Sequence, residues 1–131
     1  MANPGDATIK LLYPADDGTF FTLDVLPLNT DYDVIANVEI GEDLNQFVDR
    51  FELRVAVINL TTATQVALAE VKDTLTPANN TQFQAEVRVD FGPIQNSSPG
   101  DVMQAVASYK VIAGATYDVS TAQSVTFVIG D

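Results

Sequence analysis

Almost every side chain in this sequence that could do chemistry is a carboxylate. Eighteen Asp and Glu stand against six Lys and Arg, and there is no Cys, His or Trp. The acids cluster in three places: Asp16 with Asp17, Asp31 with Asp33, and Glu42 with Asp43. Carboxylate oxygens suit hard cations, and Ca2+ gathers roughly six to eight oxygens from several loops. Loops distant in sequence can meet at one end of a β-sandwich, so these six residues form a candidate calcium set. No segment matches a known calcium loop, however. Asp31-Tyr32-Asp33 continues into Val34 rather than into a Gly-bearing turn. A solvated acidic edge is the plainer expectation.

Other chemistries are harder to build from these residues. Without His the chain lacks the commonest general base and the commonest transition-metal ligand. Without Cys it has no thiol nucleophile, disulfide, zinc cluster or iron–sulfur site. A glycoside hydrolase needs only two acids at a set separation, and eighteen acids will supply some pair by chance. Serine catalysis without His would need a Lys, and Ser108 and Lys110 lie two apart on one strand face. The polar outer face of a strand explains that pair more simply. No enzyme activity and no organic cofactor are therefore expected. The formal net charge of −12 argues against nucleic acid and anionic membranes as partners. Three N-x-S/T sequons begin at Asn59, Asn79 and Asn96, where turn chemistry alone accounts for them.

The elements that must position these residues are strands. Tyr32, Val34, Ala36, Val38 and Ile40 alternate with Asp33, Ile35, Asn37 and Glu39. Phe51 to Val57 and Phe83 to Phe91 alternate as cleanly, which puts one face on a core and the other in water. Further strands are expected at 7–13 with Ile9, Leu11 and Tyr13 inward, and at 19–26 with Phe21, Leu23 and Val25. Others are expected at 64–72 with Val66 and Leu68, at 102–112, and at 123–129 with Val125, Phe127 and Ile129. One helical turn around Leu44 and Phe47 is expected between Gly41 and Asp49, and residues 113–122 should form a hairpin tip. The reading is one all-β domain over residues 1–131, a two-sheet antiparallel sandwich of about eight strands, with residues 1–6 as a flexible arm.

The run Pro99, Gly100, Asp101, Val102, Met103, Gln104, Ala105, Val106, Ala107 resembles the start of strand F in fibronectin type III and other immunoglobulin-like domains. The closing Ser124 to Ile129 resembles their last strand. The resemblance implies an immunoglobulin-like sandwich. The sequence departs from it where the corner tyrosine would fall, near Val102 or Met103, and in lacking the antibody Cys and Trp markers. From the residues alone a jelly roll also fits.

Surfaces and edges are then better candidates for function than a pocket. The opening strand Ala7 to Tyr13 and the stretch Val66 to Val71 are apolar enough to add to a neighbour's sheet. The expectation is a non-enzymatic assembly module: a structural or decoration subunit of a phage capsid, tail or fibre. The alternative is an extracellular adhesive, calcium-binding module. The start of the sequence lacks the basic stretch and apolar run of a signal peptide, and no run is long enough to span a membrane; the location is left open, with a virion or cell-surface assembly favoured.

Overall fold

In the computed structural model, residues 6–131 are described. The arm expected at residues 1–6 lies, apart from Asp6, outside them. The elements run β1 (Ala7–Asp16), β2 (Val25–Pro27), β3 (Tyr32–Ile40), α1 (Glu42–Asn45), β4 (Arg50–Asn59), β5 (Thr64–Thr74), β6 (Phe83–Phe91), β7 (Val102–Ala113), β8 (Thr116–Gln123) and β9 (Phe127–Gly130). One sheet has the order β1-β3-β6. The other runs β2-β9-β7-β4-β5, with β8 also paired to β7. All pairs are antiparallel except β2 with β9. This is the sandwich expected, with nine strands among the described residues against an expected eight or so. Its pairing order sets the first, second and fifth long strands in one sheet, facing the others in the second.

The core lies between the two inner faces, where the alternating residues meet. Tyr32, Val34, Ala36, Val38 and Ile40 of β3 face Leu53, Val55 and Val57 of β4 and Met103, Ala105, Tyr109 and Val111 of β7; all are buried. Tyr32 stacks on Phe91 at 5.2 Å between ring centroids, and Phe51 lies 5.7 Å from Tyr109. The clean runs thus fold as their period requires.

The weaker runs depart from expectation, and bulges are the main reason. A bulge in β1 between Ile9 and Leu11 reverses the alternation, because one extra residue swaps the two faces. Leu12 is therefore buried, Leu11 is exposed and Tyr13 is only half-buried. A second register shift, between Val57 and Ile58, does the same to β5. Ala67, Ala69 and Val71 pack on the core, Val66 is half-buried, and Leu68 lies outside. The expected strand at 19–26 shrinks to one bridge, Ala15 to Thr22, followed by β2. Leu23 and Leu26 are buried there, while Phe21 and Val25 are exposed. Val125 is exposed too, although Phe127 and Ile129 are buried as expected. The expected hairpin tip at 113–122 is mostly strand β8, joined to β7 through the left-handed Gly114 (φ 60). In the helical turn Leu44 is buried but Phe47 is exposed.

Candidate functional site

The acidic groups converge at the β1–β3–β6 sheet. Asp33 and Asp90 are direct partners across β3 and β6, so their side chains leave the same face of the pair. Asp17 comes from the turn that ends β1, where Gly18 adopts the left-handed conformation (φ 76). That turn is fastened to the sheet. The Gly18 N–H donates to Asp33 Oδ2 at 2.9 Å. Arg88 Nη1 donates to the same oxygen at 2.5 Å and to the Thr19 carbonyl at 2.7 Å. The Arg88 guanidinium lies 4.5 Å from the Phe20 ring centroid. Carboxylate oxygens of Asp17, Asp33 and Asp90 all lie within 4.8 Å of one another.

Asp33 is the inner member, with 0% of its surface exposed, while Asp17 and Asp90 open to solvent. Its Oδ2 is saturated by Gly18 and Arg88, whereas no N–H or hydroxyl donates to its buried Oδ1. Burial pushes the Asp33 carboxyl up, but the Gly18 N–H and Arg88 outweigh it and hold the group below the usual range. Asp90 is raised, chiefly by its hydrogen bond to the ionised Asp33. Asp17 is also raised, first by desolvation and then by the charges of Asp33 and Asp31. Three acids share one Arg here, so the cluster keeps an uncompensated negative charge. Its buried acid is closed to a substrate, and the open side suits a small cation.

Of the six acids read from the sequence, the fold brings together Asp17 and Asp33. Asp16 serves through its backbone, its carbonyl accepting from the Thr19 N–H and hydroxyl at 2.9 Å each. Asp31 is exposed beside the cluster and acts on Asp17 through its charge alone. Glu42 and Asp43 lie beyond the opposite end of β3, about 27 Å of strand away, and are no part of the site. Asp90 was missed. Only the β3–β6 register, which pairs it with Asp33, could have pointed to it.

The outer face of the larger sheet carries the second concentration of charge. Cross-strand pairing puts Arg50, Glu52 and Arg54 of β4 beside Lys72 and Glu70 of β5 and Lys110 of β7. Four of the six basic residues thus share this face with two acids. The rest of the chain holds two basic residues against sixteen acids, Asp33 alone of them fully buried. Arg54 bridges Glu70 at 2.8 Å and Lys72 reaches Glu70 at 3.2 Å, yet Arg54 and Lys72 stay largely exposed. An open depression of about 590 Å³ adjoins them, lined by Arg54, Ala56, Val106, Ser108, Thr121 and Gln123 among others. Lys110 Nζ lies 4.7 Å from the Tyr117 ring centroid, so its ammonium is turned to that ring rather than to Ser108.

Two further sequence features are placed by the fold. Asn59, which opens the first sequon, is fully buried: its amide donates to Asp101 Oδ2 at 2.9 Å and its carbonyl accepts from the Thr61 and Thr62 N–H groups. It is closed to glycan transfer in the folded chain, whereas Asn79 and Asn96 are exposed. The apolar edge of β1 is partly covered, since the Ala7 N–H donates to Asp118 Oδ2 and the Ile9 N–H to Ser120 Oγ, both from β8. The long edge strand β5 pairs on one side with β4.

No protein-family model matches the chain, and no curated protein matches it. Among solved structures, one described as a "putative beta-galactosidase" from Bacteroides fragilis is similar in fold, with a TM-score of 0.45 and 10% sequence identity. The match covers 96% of this chain and 20% of that one, so this chain spans about a fifth of that protein's length. No family is assigned by it.

Proposed function

We propose that the protein is a non-enzymatic assembly module that docks through the outer face of its larger sheet onto the acidic surface of a second copy. The observation that carries this reading is the charge segregation. A face with a local excess of two positive charges is set in a molecule of net −12. The two surfaces attract, and copies joined in this way meet head to tail rather than through one self-complementary patch. Repetition of such a contact builds rings or filaments, as a structural or decoration subunit of a capsid, tail or fibre requires. The flat sheet, the adjoining depression and the exposed Leu68 at its margin give the contact area.

Sedimentation velocity over a concentration series tests it. Oligomers are expected at roughly 20 mM NaCl and should dissolve at roughly 500 mM, where the screening length is only a few ångströms. The double variant Arg54→Glu/Lys110→Glu should remain monomeric at both. A wild-type protein that is monomeric under every condition, or a double variant that assembles like wild type, would overturn the reading.

A further inference from the structure

We propose that Asp17, Asp33 and Asp90 form a binding site for a divalent cation, Ca2+, at the outer side of the β3–β6 pair. Three carboxylates within 4.8 Å repel one another, and a fold brings them together only against a compensating charge. Arg88 supplies one such charge, and it is committed to Asp33 Oδ2 and the Thr19 carbonyl. The independent sign of a ligand is Asp33 Oδ1. It is completely buried, no N–H or hydroxyl donates to it, and only a carboxyl proton of the neighbouring acids could otherwise satisfy it, since the other oxygen of the same carboxyl is already saturated. A buried carboxylate oxygen without a partner is costly, and a coordinated cation removes that cost. With Ca2+ bound, three acids and Arg88 close to neutrality.

The chemistry selects the ion. All donors are oxygen, which excludes the soft-metal preferences of thiolate and imidazole sites. Asp33 sits at the back on a rigid strand pair, and Asp17 and Asp90 flank the open side, where water can complete a flexible shell. Ca2+ accepts that irregular arrangement more readily than Mg2+, which demands a near-ideal octahedron. Bound there, the ion would tie the Asp17–Gly18 turn to both strands. The site lies on the opposite sheet from the proposed docking face, so either can fail without the other.

The test is a titration of the chelator-treated full chain with CaCl2, read by melting temperature and by terbium emission sensitised through tyrosine. A saturable rise of about 5 °C or more in millimolar Ca2+ is expected. Terbium emission should be displaced by Ca2+. Asp90→Asn and Asp17→Asn lie on the exposed side and should fold; each should weaken binding at least ~10-fold. Asp31→Asn, beside but outside the triad, should bind within about twofold of wild type. An unchanged melt with no sensitised emission overturns the site and leaves a proton shared between Asp33 and Asp90 as the compensating charge. Wild-type binding by both Asp90→Asn and Asp17→Asn overturns it equally.

Discussion

Asp33 and Asp90 are chemically alike, adjacent across one strand pair, and shifted in opposite directions. Their contributions to stability therefore oppose each other in pH. Asp33 titrates below its unfolded value, so its contribution is present above about pH 4 and is lost as pH falls through the folded pKa. Asp90 titrates above its unfolded value, so its contribution is complete below about pH 4 and is lost as pH rises through the folded pKa. In chelator-treated protein, the stability owed to this pair should peak near pH 4. Urea unfolding across pH 3 to 7 checks this, and Asp90→Asn should flatten the limb above the peak. Sequence reading reached Asp17 and Asp33 because they stood close to other acids. It missed Asp90, whose only link to them is a partner fifty-seven residues away in the register.

At the scale of elements, β8 accounts for the largest departure from expectation. Its alternation is weak: Tyr117, Val119 and Thr121 are exposed, and the inward positions include Asp118 and Ser120. Those two polar residues are there to cap backbone N–H groups on β1, and so they break the apolar pattern that would mark a strand. The caps also blunt an edge that would otherwise invite pairing with another chain. The double variant Asp118→Ala/Ser120→Ala should lose about 1–2 kcal/mol, since it strands two part-buried donors. Hydrogen exchange at the Ala7 and Ile9 amides should accelerate in step. Retained protection at both amides would show that the caps are dispensable. The bulges of β1 and β5 are equally local. Each moves a single residue out of register and thereby exchanges Leu11 for Leu12, and Leu68 for Ala67 and Ala69, on the core face.

Over the whole molecule, sixteen acids outside the outer face of the larger sheet repel one another, and that repulsion weakens the compact state at low ionic strength. Added NaCl should first raise the melting temperature of the monomer by a few degrees, through screening. A scanning calorimetry series on the Arg54→Glu/Lys110→Glu variant, expected to be monomeric, checks it, because that variant adds acidic charge and lacks the proposed docking contact. A melting temperature that falls steadily with salt would mean that the surface ion pairs, such as Arg54 with Glu70, matter more than the net repulsion.

The sequence by itself determined the class of fold, because a period of two carried through three clean runs can bury one face only as strands. It also determined which chemistries lack their residues, since no fold can supply a missing His or Cys. Tertiary structure decided where charge converges. The β3–β6 register set Asp90 against Asp33, the turn at Gly18 delivered Asp17, and the β5-β4-β7 order gathered Arg50, Arg54, Lys72 and Lys110 on one face. Each strand records its own alternation, but which strands become neighbours, and in what register, depends on contacts between distant segments. The carboxylates noticed first in the sequence became a site only where that pairing brought two of them to a third.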